Sequence, residues 1–308
     1  MTGIHRGLLL VALSLAANDP AAQDAADSRY ARTWSAKVGA GREYDSNVTV
    51  SEVDSSSGES DYAWTVDLGV GLNQSLGERT DLSLNYDFSQ SSYDEFSFVD
   101  RQTHILGSNL SLDLKRTKGG LSAYYVRSLL DGERFLDYLR LSPSLSGFVS
   151  KRWFARGAYV FSERTLEDRE DRNADTHAVE GDLYYFHRGL RSYFNIGYRY
   201  RDEDAVFDAL DFRSHGIKLR YIRRFALLGR QAKAEISWRF EARDYTSVDP
   251  VISEERNDDR SRWKLDFEVP FGERLTWQWY LSYGDFASNL PRADFIQTIG
   301  GTRLEWRW

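Results

Sequence analysis

Residues 298–308 read TIGGTRLEWRW, and the alternation in this closing run decides the fold. Thr298, Gly300, Thr302, Leu304, Trp306 and Trp308 share one parity; Ile299, Gly301, Arg303, Glu305 and Arg307 share the other. Successive side chains of a β-strand point to opposite faces, so one face gathers a leucine and two tryptophans while the other gathers three charges. A soluble protein has little reason to end on such a strand. The pattern suits a strand with lipid on one side and water on the other.

Working outward, the same period-2 alternation recurs in runs of about ten residues from Thr33 onward. Trp64, Val66, Leu68, Val70 and Leu72 oppose Thr65, Asp67, Gly69, Gly71 and Asn73; Leu82, Leu84, Tyr86 and Phe88 oppose Asp81, Ser83, Asn85 and Asp87. Ala234, Ile236, Trp238 and Phe240 oppose Lys233, Glu235, Ser237, Arg239 and Glu241, and Trp263, Leu265, Phe267 and Val269 oppose Arg262, Lys264, Asp266 and Glu268. Fourteen such runs are expected, an even number that returns the chain to its starting side. Short turns near 76–79, 115–120, 151–152, 187–189, 226–231 and 272–274 alternate with longer polar connections near 45–61, 92–101, 130–137, 165–175, 202–212, 244–259 and 286–296. That asymmetry predicts an all-β fold: one closed antiparallel transmembrane barrel over 33–308, both termini periplasmic and the long loops outside. Pro143 falls inside one run and predicts a bulge or an early strand end, because proline removes a ladder donor.

Composition agrees. Aromatics are 14% of residues, yet 28% of residues are charged. No stretch beyond the N-terminus nears the roughly 18 apolar residues of a membrane helix. A net charge of -7 argues against a nucleic-acid partner. With no cysteine there are no disulfides or thiolate metal sites. His5 and Arg6 precede the apolar stretch 8–17 (LLLVALSLAA), with small residues such as Ser14 and Ala16 suited to cleavage. Residues 1–22 therefore read as a signal peptide and 23–32 as a short periplasmic tail.

Charge decides which face meets lipid. An Arg or Lys near the bilayer midplane costs about 2–4 kcal/mol, so Lys233, Arg239, Arg262 and Lys264 place their parity in the lumen. All nine tryptophans fall on the opposite parity, and Trp34, Trp64, Trp153, Trp263, Trp277, Trp279, Trp306 and Trp308 are expected to form girdles at the membrane interfaces. Asp67, Asp81, Asp87 and Asp113 would form an acidic luminal wall opposite a basic one of Arg199, Arg201, Lys218, Arg220, Arg239 and Arg243. Such walls would set a field across the pore that favours polar or zwitterionic solutes, or would pair and plug it.

Other chemistry is poorly provided for. His104, His177 and His215 are expected to begin strands near the outer rim and His187 to lie in a turn, all without a nucleophile or carboxylate on the same layer. No catalytic, cofactor or metal residues are predicted. The acidic stretches 167–171 and 202–204 read as solvated loops that contact lipopolysaccharide through cations, with direct cation binding as the alternative.

Bacterial outer-membrane β-barrels end on an aromatic strand of this kind. In that resemblance Leu304, Trp306 and Trp308 serve as the insertion signal, which makes the barrel-insertion machinery and outer-membrane lipid the expected partners and the Gram-negative outer membrane the expected location. The stretch Gly39-Ala40-Gly41-Arg42-Glu43-Tyr44-Asp45-Ser46-Asn47-Val48 resembles a motif in the C-terminal barrel of the surface lipoprotein assembly modifier family. That resemblance implies a fourteen-stranded conduit exporting lipoprotein or protein cargo. Here only a short tail is expected before the first strand, so the chain would need a separate periplasmic repeat protein or would not perform export. A monomeric general porin and a plugged structural or adhesion barrel are the alternatives.

Overall fold

The computed structural model describes residues 32–308, so the expected signal peptide and tail lie outside the described residues except Arg32, which opens the first strand. Fourteen strands close one antiparallel barrel. In order they are β1 (Arg32–Asp45), β4 (Asp61–Ser75), β5 (Thr80–Tyr93), β6 (Arg101–Asp113), β7 (Lys118–Leu130), β8 (Glu133–Phe148) and β9 (Trp153–Leu166). Then follow β10 (Ala174–Leu190), β11 (Ser192–Ala205), β12 (Phe212–Leu227), β13 (Arg230–Asp249), β14 (Glu254–Phe271), β15 (Leu275–Ser288) and β16 (Phe295–Arg307). The short strands β2 (Thr49–Val50) and β3 (Ser55–Ser56) form a separate two-stranded hairpin in the connection after β1.

The closing run does what its alternation requires. β16 pairs with β1 from Lys37↔Arg307 to Asp45↔Ile299, and the Trp308 amide donates to the Ala36 carbonyl at 2.9 Å. No sheet edge of the barrel is left open, which is the condition for strands in lipid. β1 begins and β16 ends at one rim, the terminal rim; the other is the loop rim.

Three connections are shorter than their polarity suggests. β11 runs on to Ala205, so the acidic stretch 202–204 is strand and not loop, with Glu203 buried against Arg164 at 2.9 Å. The stretch near 130–137 is a tight turn at Asp131-Gly132, with φ of 49° and 80°. These are the left-handed pair that favours Asp-Gly in a two-residue hairpin. β13 and β14 run on through most of 244–259, leaving only residues 250–253 between them and a register shift between Asp244 and Val248. Pro143 causes neither a bulge nor an early end. Its ladder to β7 is intact at Leu121↔Pro143, and the register to β9 is the same on either side of it. The missing donor costs one stretch of one ladder.

The apolar parity faces outward, with Trp34 65%, Trp64 62% and Trp308 61% exposed. Trp34, Trp277, Trp279, Trp306 and Trp308 gather near the terminal rim, where Trp153 also packs on Tyr185 at 4.8 Å. Trp64 sits toward the loop rim. Trp263 departs from the expected end position: it packs on Trp238 at 6.0 Å in the middle of the two long strands β13 and β14.

Inside, three ion pairs reach across an intervening strand over a glycine. Lys37 on β1 meets Asp87 on β5 at 2.9 Å above Gly69, where an added Cβ would run into Lys37 Cε. Arg303 reaches Asp67 past Gly39, and Lys218 reaches Asp182 at 2.7 Å over Gly197. Gly69→Val should push the lysine aside and cost about 1–2 kcal/mol, the scale of a charge-assisted hydrogen bond. The check is a lower urea midpoint for the refolded barrel, with no further drop when Lys37→Met is added.

Candidate functional site

The site begins at the end of β1. The Asn47 amide donates to Asp45 Oδ1 at 3.0 Å, and Asn47 Nδ2 donates to the Ile296 carbonyl at 3.1 Å. Asn47 Oδ1 in turn accepts from Ser56 Oγ at 2.8 Å and from the Gly58 amide at 3.0 Å. Gln297 Nε2 lies 2.9 Å from the Asn47 carbonyl and 3.0 Å from both Asp45 carboxylate oxygens, while Ser46 Oγ accepts from the Thr298 amide at 2.7 Å. Short polar side chains bond readily to nearby backbone and so turn a chain. Here Asp45, Ser46 and Asn47 turn it into the barrel mouth.

The connection 46–60 therefore folds inward: Val48, Val50 and Asp54 are all buried. Its tip crosses the lumen. Asp54 takes both guanidinium nitrogens of Arg256, on β14, at 3.0 Å, and Arg172 Nη2 at 2.9 Å. Arg172 lies between β9 and β10, which stand opposite β16 and β1 in the strand order. On the other flank Arg101 of β6 grips Glu52 through two bonds at 2.7 and 3.2 Å, and Arg172 also donates to the Glu52 carbonyl at 3.1 Å. Arg256 is fully buried, bonded as well to Asp258 at 2.8 Å and set over the Tyr245 ring at 4.6 Å. Three walls thus hold one loop.

Both loop carboxylates lie outside the spanning strands, and both are held as anions. Burial alone would raise Glu52, but the charge and hydrogen bonds of Arg101 outweigh it and bring the carboxyl down to about 2. Burial also opposes Asp54, yet the hydrogen bonds of Arg256 and the charges of Arg256, Arg172 and Arg260 hold it well below the usual carboxylate range. A depressed carboxylate stabilises docking above its free value and loses that contribution as pH falls through the docked value. For Glu52 the loss runs from 4.5 down to about 2. Current recordings should therefore show steady behaviour from neutral pH to near 4.5 and frequent opening transitions as pH approaches 2. Transitions that begin near neutral pH would contradict this.

Beneath the loop lies a cavity of about 1220 Å³, running from Ser51 and Glu52 down to Lys115, Arg116 and Trp308 at the terminal rim. Sixteen Lys and Arg residues line it against seven Asp and Glu, so its wall is basic although the whole chain is acidic. All six residues of the predicted basic wall, Arg199, Arg201, Lys218, Arg220, Arg239 and Arg243, line this cavity. The four aspartates do not oppose them as a free wall. Asp67 pairs with Arg303 and Asp87 with Lys37. Asp81 and Asp113 are exposed at the terminal rim, accepting from Ser75 Oγ at 2.8 Å and the Lys115 amide at 2.7 Å.

The luminal carboxylates are shared. Glu180 faces Arg140 at 3.1 Å and Arg199 at 3.5 Å, and Glu241 faces Arg201 at 2.6 Å and Arg243 at 2.8 Å. One row has an excess: Lys218, Arg239 and Arg262 are in register on β12, β13 and β14, flanked by Gly197 and Gly284. Lys218 uses Asp182. Among the described residues Arg239 and Arg262 have no carboxylate within ion-pair distance, and Arg262 lies over the Phe286 ring at 5.1 Å. Arg220, 7% exposed, keeps its Nε without a partner.

His104, His177 and His215 sit near the starts of β6, β10 and β12 by the loop rim, as expected, but on the outward parity, away from every luminal carboxylate. His187 is not in a turn, since β10 continues to Leu190. Sequence reading missed Glu52, Asp54, Arg101, Arg172 and Arg256 as a set. The available signal was that 45–61 is the longest polar connection beside 244–259, with a burst of small residues suited to a folded loop.

No protein-family model matches the sequence, and no curated protein does. Solved structures do. The anion-selective porin of Comamonas acidovorans superposes with a TM-score of 0.52 at 9% identity, over 91% of this chain and 100% of that one. OmpT, an outer-membrane protein of Vibrio cholerae, gives 0.53 at 8% identity over 91% and 98%. CdiB from Acinetobacter baumannii gives 0.50 at 12% identity, over 89% of this chain and 60% of that one. The chain has the fold of the Gram-negative outer-membrane β-barrels, the porin-like and conduit-like barrels among them.

Proposed function

We propose that this chain is an outer-membrane conduit for small anionic solutes, with the terminal rim facing the periplasm and the 46–60 loop as its constriction. The excess of cations lining the lumen of an acidic protein carries the reading. Charged linings of one sign concentrate counter-ions and set the selectivity of a pore. The cavity is only slightly larger than the roughly 300–1,000 Å³ of small-molecule sites, which supports a solute rather than folded cargo from a periplasmic repeat protein. The Comamonas porin, by its description anion-selective, shares the fold. Lipid, lipopolysaccharide and the barrel-insertion machinery are the proposed partners of the outer face and of Leu304, Trp306 and Trp308.

Reversal potentials of the refolded protein in a planar bilayer under a KCl gradient test the proposal. Preference for chloride is expected, and preference for potassium would sink it. The buried ion pairs at Asp54 also favour a second reading, a plugged structural barrel, which would conduct nothing at neutral pH.

A further inference from the structure

One arrangement recurs three times on the outer wall. Tyr86 and Phe88 on β5 face His104 on β6; Tyr159 and Phe161 on β9 face His177 on β10; Tyr198 and Tyr200 on β11 face His215 on β12. Each histidine follows an inward Thr or Ser, namely Thr103, Thr176 and Ser214. In every copy the tyrosine hydroxyl meets the imidazole Nδ1, at 2.8 Å for His104 and 2.7 Å for His215. The directly opposed aromatic ring lies 5.1, 5.4 and 5.2 Å from the imidazole. The next outward residues toward the terminal rim are Leu106, Val179 and Ile217, all exposed on the apolar face.

A phenol that donates to Nδ1 leaves the proton of a neutral imidazole on Nε2. Among the described residues that Nε2 has no partner. In that tautomer three oriented N–H donors stand on a lipid-facing surface, where hydrocarbon would leave each unsatisfied at a cost of several kcal/mol. Height resolves the conflict. From Tyr185, in the Trp153 girdle, to His177 is about 26 Å along the strand at about 3.3 Å per residue, or roughly 20 Å along the membrane normal after a tilt of about 40°. That is about 5 Å short of the roughly 25 Å height of an apolar band, so the donors stand just beneath the headgroups, within reach of their phosphates.

We propose that His104, His177 and His215 are binding sites for lipid phosphate, each presenting Nε2–H to a headgroup phosphate oxygen while its tyrosine fixes the ring. Phosphate oxygens are strong acceptors without donors of their own, and a hydrogen bond to a charged acceptor is about twice as strong as a neutral one. Two neighbouring hairpins sharpen the assignment. The same register holds Tyr125 Oη on Asp137 at 2.9 Å, with Arg127 also on that carboxylate, and Trp238 Nε1 on Ser261 at 3.1 Å. There an oxygen takes the aromatic donor, and Arg127 turns Nε and Nη2 onto Asp137 and Tyr125, so neither hairpin holds an imidazole fixed by a phenol and the proposal is for three sites and not five.

Native mass spectrometry of the refolded full chain, released from mixed micelles of phosphatidylglycerol and a phosphate-free diglucosyl diacylglycerol, tests it. Retention of up to three phosphatidylglycerol molecules is expected. Their apparent affinity should fall about tenfold in His104→Leu/His177→Leu/His215→Leu, and less in Tyr86→Phe/Tyr159→Phe/Tyr198→Phe. Equal retention of the two lipids, or an unchanged triple-leucine variant, would overturn the proposal. If the leucine variant does not refold, solid-state NMR of the unmutated protein decides. Dephasing of imidazole Nε2 by lipid 31P supports the sites, and its absence at all three histidines overturns them.

Discussion

Asp54→Ala is expected to release the 46–60 loop from the lumen and raise single-channel conductance several-fold. Asp54 is the shared counter-ion of Arg256 and Arg172, both buried, and Arg260 lies 3.8 Å away. Removing one partner of a buried ion pair costs about 3–5 kcal/mol, because the other charge is left without compensation. Here Arg172 would lose its one carboxylate among the described residues and Arg256 would be left with Asp258 alone, and the least costly response is for the loop to leave and admit water. Arg172→Ala should have a smaller effect, since Arg256 and the Arg101–Glu52 pair still hold the tip. Val48 and Val50 bury too little apolar surface to hold it against solvated charges. If Asp54→Ala migrates on gels as a folded barrel yet conducts like the parent, the loop is not the constriction.

The contrast between what the sequence exposes and what it hides follows from range. Strand alternation is local: Trp64 to Leu72 and Thr298 to Trp308 reveal their faces without help from the rest of the chain, so the barrel and its closure can be read directly. The alternation weakens above the lipid, where both faces meet water. This is why 244–249 and 254–259 look like loop although they are strand, and why Glu133 and Arg134 disguised the Asp131-Gly132 turn. Luminal parity points to the basic residues that line the cavity, but their compensation depends on register. Asp67 meets Arg303 because Gly39 leaves room between strands far apart in sequence, and no local pattern announces it. The loop pins are more hidden still, since Asp54 and Arg256 are separated by 202 residues. The Tyr44-Asp45-Ser46-Asn47 stretch looked like a family signature, and in the structure Asp45, Ser46 and Asn47 are the fold's instruction to turn inward.

Arg239→Glu combined with Arg262→Glu is expected to reverse the sign of the reversal potential under a KCl gradient. Adjacent strands stand about 4.8 Å apart, so Lys218, Arg239 and Arg262 form a short row of cations. Only Lys218 has a carboxylate partner within the ion-pair distance. A unit charge about 5 Å from a passing ion contributes between about 0.8 and about 3 kcal/mol as the effective dielectric falls from water's value toward about 20. Each Arg→Glu change converts an attraction for anions into a repulsion of similar size, and two in register act on the same ion. The remaining cations cannot offset this locally: Arg243 and Arg201 share Glu241, and Arg199 lies within 3.5 Å of Glu180. Because the Debye length is about 10 Å at about 0.1 M salt and about 3 Å at about 1 M, the reversal should be large in dilute KCl and fade in concentrated KCl. A double variant that stays anion-selective in dilute salt would show that this row does not set selectivity. A reversal that persists unchanged in concentrated salt would point to a rearranged pore rather than to the two charges.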